Sequence, residues 1–375
     1  MNMIPTILFV DDNIDEVRVF EQLIGNEANV TIVHPNEVDA ERLTRSDLVL
    51  IDYKIDYWPA REDVQQVGLR PLTGVALAAV LRDYVMNPQT DGSPVAFGIL
   101  SGRVQELSRG LPVEHRTQVL AATNNLEWIF SKAQTEVVAK QAVSLASAVA
   151  SLPEDWAAEQ STEAARGQLI ELLDLNESNW YVRGVEDVER CHPPLHELSK
   201  WSHGMAIVRW LLHVILPYPC FLMDSLELAQ RLRVTPSSLD KALAHPAFRD
   251  AFLPAEYTGM LSQFDGARWW RSGVESLLWE GTKGRSFDTT TIRSFLSTLF
   301  DAVEVVEIDD PVICLDENNA RDPRVIPRSK AVRIQPDQWP AFAEPAWTSI
   351  ELAREVPGLK ALVIEQDRTA VGEEG

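Results

Sequence analysis

The first third of the chain alternates short, branched apolar runs with stretches of helical periodicity, and this alternation restricts the fold more than any other feature. Thr6–Val10 (TILFV), Val30–Val33 (VTIV), Leu48–Asp52 (LVLID), Val95–Leu100 (VAFGIL) and Leu126–Phe130 read as strands. Glu16–Ile24, Gly74–Val85 and Gln134–Ala150 read as helices. Strands and helices of this size, in alternation, bury their apolar faces only as a parallel sheet covered on both sides. The expected fold is therefore α/β, flavodoxin-like, over residues 1–150.

The polar residues at the strand ends point to chemistry. In a doubly wound sheet, ligands bind beyond the carboxyl ends of the strands, at the point where strand order reverses. Asp11 and Asp12 follow the first strand at once, and the third strand ends on Asp52. In flavodoxin-like order these strands are neighbours, so three carboxylates converge. Such a group repels itself unless a cation sits among it, and hard oxygen donors suit Mg²⁺. Ser101 follows the fourth strand, with a hydroxyl for a phosphoryl oxygen. Lys132 follows the fifth, with an ammonium to pair with Asp52 and then with a phosphoryl group.

These residues resemble the receiver domain of two-component response regulators. ILFVDDN matches the family's acidic pair, DLVLIDYK its phosphoacceptor, FGILSG its hydroxyl and WIFSK its lysine. The resemblance implies phosphotransfer to Asp52 from a phosphohistidine of a sensor histidine kinase. It also implies Mg²⁺ held by Asp11, Asp12, Asp52 and the backbone carbonyl of Lys54, with Ser101 and Lys132 assisting. The chain departs from the pattern in four places, one of them the span from Ser101 to Lys132, which is longer than usual. It also has extra residues between Ile55 and Leu72, Ala133 instead of proline after the lysine, and Ile129 at the usual aromatic position of strand five.

The remainder is less distinctive. The 375 residues suit two or three domains. Residues 151–167, with Pro153 and many Glu, Ala and Ser, read as a linker; residues 168–300 read as a mainly helical domain of unknown function. Residues 301–375 read as a mixed strand and loop segment: strands at Val303–Ile308, Val312–Leu315 and Lys360–Ile364, loop over 316–346, a helix at Ser349–Glu355 and a frayed acidic tail. Leu226–Leu243 (LELAQRLRVTPSSLDKAL) has helix-turn-helix character, but its second helix offers only Lys241, beside Asp240, to a phosphate. The net charge of −22 lacks the basic footprint of a nucleic-acid binder, so DNA ranks below a protein partner.

Cys191, His192, His196, His203, His213 and Cys220 fall close together without paired zinc spacing, and packing is the expected role. Trp269, Trp270 and Trp279 suggest an aromatic helix face, and Gly281–Arg285 (GTKGR) a turn. No apolar run is long enough to cross a bilayer, no secretory signal is recognisable, and three widely spaced cysteines fit a reducing compartment, so a cytoplasmic location is expected. No hydrolase, cyclase, phosphodiesterase or ATPase signature is recognisable, so no enzyme beyond receiver chemistry is expected. The leading expectation is a response regulator that signals through a protein-binding C-terminal region, alone or as a homodimer. The alternatives are a DNA-binding regulator and a phosphate sink that drains a kinase, in a stress or defence circuit.

Overall fold

The computed structural model describes residues 4–56, 71–87, 94–104, 116–154, 156, 161–198, 204–286, 288–300, 308, 310–337 and 339–372. Its first part is a five-stranded, all-parallel sheet in the order β2-β1-β3-β4-β5. The strands are β1 (Thr6–Val10), β2 (Asn29–Val33), β3 (Leu48–Asp52), β4 (Ala96–Ser101) and β5 (Trp128–Ser131). Helices α1 (Ile14–Ile24), α2 (Ala40–Thr44), α3 (Gly74–Val85), α4 (Arg116–Thr123) and α5 (Thr135–Ala150) cover it. This is the doubly wound order expected from the sequence.

The period of two along each strand divides the core. Ile7, Phe9, Leu48, Leu50 and Phe130 face α1 and α5, while Leu8, Val10, Val49, Ile51, Phe97 and Ile99 face α2 and α3. Every residue of β3 and β4 is buried, which is why these strands read as continuous apolar runs. The short helices α2 and α4 were not legible as helices, because neither carries enough apolar periodicity. The extra residues after Ile55 lie mostly outside the described part.

The mainly helical region contains α6 (Thr162–Leu172), α7 (Tyr181–Arg190), α8 (Met205–Trp210), α9 (Ser225–Leu232), α10 (Pro236–Leu243), α11 (Pro246–Phe252), α12 (Arg271–Gly281) and α13 (Thr289–Leu299). A short antiparallel pair joins β6 (Leu222–Met223) and β7 (Trp269–Trp270). The region does not stand apart from the sheet. Val138, Leu145 and Val149 of α5 share one core with Leu169, Ile207, Leu211 and Trp270. Phe264 packs edge-on against Trp128 of β5 at 5.1 Å and against Phe130 at 6.5 Å. The stretch read as a linker contributes to that core. Trp156 and Ala165 are buried, and α6 begins at Thr162 because the Ser161 hydroxyl accepts the Ala164 amide.

A buried ionic junction reinforces this docking. Glu127, fully buried just before β5, accepts from Arg82 of α3 and from Arg209 of α8, each at 2.8 Å. His213 reaches the Glu127 carbonyl at 2.9 Å. Burial alone would raise the Glu127 pKa, but the two guanidinium groups outweigh it and hold the carboxyl below its ordinary range.

The last segment is a four-stranded sheet in the order β10-β11-β8-β9, formed by β8 (Pro311–Leu315), β9 (Arg321–Pro327), β10 (Ala331–Ile334) and β11 (Ala346–Ser349). The stretch 316–346, expected as loop, thus contains β9, β10 and the first residue of β11. Its Asp and Asn residues serve one tight turn, in which the Asp316 carboxylate accepts the amides of Asn318 and Ala320. Helix α14 (Ile350–Glu355) matches the expectation. Lys360–Ile364 is not a strand: Pro357 opens helix α15 (Pro357–Leu362), and only Val363 bridges to Ile334. The described part of the tail forms a 3-10 helix over Glu365–Val371, held by the bidentate Arg333–Asp367 pair and by buried Val371, and residues 373–375 lie outside the described residues. The strand expected at Val303–Ile308 falls almost wholly outside the described residues.

Candidate functional site

Each strand end delivers one part of a polar pocket. Asp11 and Asp12 leave β1, Asp52 ends β3, Ser101 ends β4, and Lys132 follows β5. One oxygen from each of Asp11, Asp12 and Asp52 lies within 4.8 Å of the others, the only such grouping of metal-ligand side chains among the described residues. Lys132 Nζ sits 2.6 Å from Asp52 Oδ1 and 2.9 Å from Asp11 Oδ2. Backbone amides fix the remaining oxygens. Lys54 N donates to Asp52 Oδ2 at 2.8 Å, Asn13 N to Asp11 Oδ1 at 2.8 Å, and Asp56 N to Asp12 Oδ2 at 2.9 Å. Ser101 is buried, and its hydroxyl accepts from Arg103 N at 2.9 Å, while its carbonyl receives the Lys132 amide. Asp11, Asp12, Asp52 and Lys132, singled out in the sequence, lie together in the structure. Lys54 enters the site through its backbone amide, which donates to Asp52 Oδ2.

Two participants were missed. Glu16 lies 3.4 Å from Lys132, but as one of two acidic residues in the first turn of α1 it carried no distinguishing signal. Gly74 opens α3 directly against the end of β3: a Cβ there would lie 2.1 Å from the Asp52 carbonyl oxygen. Its place after a long insertion hid that close approach.

Burial dominates the electrostatics. Asp11 is almost completely buried, and desolvation pushes its pKa up to about 6, against the Asn13 amide and Lys132. Desolvation likewise raises Asp52 despite Lys132. Burial opposes the charge of Lys132, but its hydrogen bond to Asp52 and the charge of Asp11 prevail and raise its pKa. Two buried carboxylates short of positive charge, together with a third beside them, form a donor set that fits a hard divalent cation such as Mg²⁺.

A folded-state pKa of about 6 against an ordinary 3.8 means that Asp11 holds its proton more tightly in the folded chain. Its contribution to stability is therefore full below the ordinary value and is lost as pH rises through 6. In Mg²⁺-free buffer, Asp11→Asn should gain on the wild type across this window by up to about 3 kcal/mol. Denaturant unfolding of both proteins from acid to neutral pH checks this, and a constant difference would refute it.

The zinc spacing does not assemble. Cys191 and Cys220 are neighbouring buried thiols, His213 is engaged with Glu127, His196 is exposed beside Glu197, and His203 lies outside the described residues. Trp269 and Trp270 form β7 and are buried, whereas Trp279 stands exposed on α12, so they share no helix face. Helices α9 and α10 follow one another through a short turn at Arg233, φ 58°, with α9 lying against β8 and β9. No helix among the described residues is long and apolar enough to cross a membrane. Comparison with protein-family models, curated proteins and solved structures finds no match to this chain.

Proposed function

We propose that the chain is the phosphoacceptor of a two-component phosphorelay in the cytoplasm, taking a phosphoryl group from a sensor histidine kinase onto Asp52. The observation that supports this best is Lys132 bridging Asp52 and Asp11 beside Asp12 at the carboxyl end of a parallel sheet. In the proposed step an Asp52 carboxylate oxygen attacks phosphorus, an O–P bond forms, and the N–P bond of the phosphohistidine breaks. The imidazole leaves with its electron pair and takes a proton from water. Lys132 holds Asp52 ionised and oriented before the step, then pairs with the new phosphoryl oxygens. Ser101, freed from the Arg103 amide, donates to the same group. Mg²⁺ held by Asp11, Asp12, Asp52 and the Lys54 carbonyl would offset the negative charge that keeps donor and acceptor apart.

The proposed output is intramolecular first. The packing of Phe264 on Trp128, and the core shared with α5, support this by joining the helical region to the sheet that carries Asp52. Phosphorylation then alters what the C-terminal region offers to a downstream protein. DNA binding through residues 226–243 has less support, since the exposed positions of α10 pair Lys241 with Asp240.

Acetyl phosphate with Mg²⁺ should add a single phosphoryl group to the wild-type chain by intact mass, and none to Asp52→Ala or to wild type in EDTA. Equal labelling of Asp52→Ala would remove this assignment.

A further inference from the structure

A second cleft, of about 750 Å³, lies between the helical region and the four-stranded sheet, in a part of the molecule the phosphoacceptor chemistry does not use. Its size suits a small-molecule ligand, and junctions between structural units are where such sites commonly form. On a chain of net charge −22, its wall gathers five arginines against three carboxylates. Arg183 comes from α7, Arg231 and Arg233 from the end of α9, and Arg328 and Arg333 from the sheet side.

Several of these guanidinium groups are held in place. Arg231 donates to Glu344 at 3.0 Å and lies 3.3 Å from Glu275; Arg333 grips Asp367 through two bonds of 2.8 and 3.0 Å. Arg328 is held more loosely. It lies half-exposed over the Trp347 ring at 5.0 Å, with Asp310 at 3.3 Å as its side-chain ion-pair partner among the described residues. Fixed guanidinium forks suit phosphate oxygens, which they bind bidentately.

Two further features call for more than an anion. Trp279 lines the cleft with 58% of its surface exposed, an unusual cost for an indole unless something covers it, and Trp347 offers a second ring. Ser272, only 1% exposed, lines the same cleft with a hydroxyl that has no hydrogen-bond partner among the described residues. A buried donor left unpaired is destabilising, and it persists most readily where a ligand completes it. Inorganic phosphate would neither fill the volume nor use the rings.

We propose that this cleft binds a mononucleotide, its phosphates on the arginines around Arg328 and its base on an exposed indole, with Ser272 donating to it. Planar bases stack on such rings with little regard to sequence identity.

The test is calorimetric titration of the full-length wild-type chain in EDTA, which disables the Mg²⁺-dependent pocket, with ATP, GTP, AMP, adenosine and inorganic pyrophosphate. A nucleotide should bind, with adenosine and pyrophosphate each at least about tenfold weaker, since each lacks one half of the recognition. Arg328→Gln should weaken nucleotide binding by about ten- to a hundredfold, the scale of charge-assisted hydrogen bonds. Trp279→Ala should weaken it by about five- to a hundredfold through lost stacking. Both side chains are exposed, so thermal melting should match the wild type and report that the fold is intact. Ser272→Ala should melt no lower than wild type yet bind less tightly. Silence of every nucleotide at millimolar concentration would overturn the proposal. So would pyrophosphate binding as tightly as a nucleotide, or affinity indifferent to both variants.

Discussion

Glu127→Ala should destabilise the protein by about 3–5 kcal/mol, the usual cost of removing one partner from a buried ionic group. Glu127 is fully buried between Arg82, itself 7% exposed, and Arg209. Without the carboxylate, the compensation left to the buried Arg82 charge among the described residues is the face of Phe97, 4.7 Å away. The Phe97 amide also loses its acceptor at the edge of β4. Because Arg209 belongs to α8, the same change loosens the attachment of the helical region to β5. Denaturant unfolding followed by tryptophan fluorescence reads both effects, and a loss below about 1 kcal/mol would mean that the charges are solvated. A paired replacement, Glu127→Leu with Arg82→Met, should recover most of the loss, since apolar groups of similar volume often substitute for buried ion pairs without penalty. The Glu127 carboxyl is held below its ordinary range, so its contribution is present above the ordinary carboxylate pKa and lost as pH falls through the lowered one.

Lys132→Ala should slow labelling of Asp52 by acetyl phosphate about a hundredfold or more, by analogy with deleting one preorganised donor from a charge-stabilising site. Lys132 lies 2.6 Å from the proposed acceptor and, among the described residues, is the cation that bridges Asp52 to Asp11. Removal should have a second, opposite effect. With the ammonium gone, a divalent cation meets less repulsion and more uncompensated carboxylate charge, so Mg²⁺ should bind more tightly. Slower transfer combined with tighter Mg²⁺ would identify Lys132 as a group acting on the phosphoryl transfer. Slower transfer with weaker Mg²⁺ would instead mean that the pocket had collapsed. Fluorescence titration with Mg²⁺ and time-resolved intact mass distinguish the two.

The polar pocket was legible because each of its residues stands at the end of a strand. A strand whose two faces are both buried must be apolar throughout, so its end is marked by the first carboxylate or hydroxyl, as at Asp11, Asp52 and Ser101. Parallel order then places those ends together without any knowledge of loops. Glu16 and Gly74 escaped notice because their roles depend on where α1 and α3 meet the pocket, which no local pattern encodes.

The C-terminal sheet shows the opposite case. Residues 316–346 carry turn-forming Asp, Asn and Pro between strands of four to seven residues, and only pairing across the sheet turns those strands from loop into structure. The cleft between that sheet and the helices had no sequence signature at all, since its arginines come from α7, α9 and the sheet side and are distant in sequence.

The sequence by itself determined the five-stranded parallel unit and the identity of its acidic centre, because both follow from local apolar periodicity and the residues that interrupt it. Only the tertiary structure decided that the helical region shares the parallel sheet's core, that Glu127 is held between two parts of the chain, and that separate arginines converge on one cleft. Those outcomes depend on contacts between residues far apart in sequence, where the free energy comes from joint burial and charge pairing rather than from the preference of any one segment.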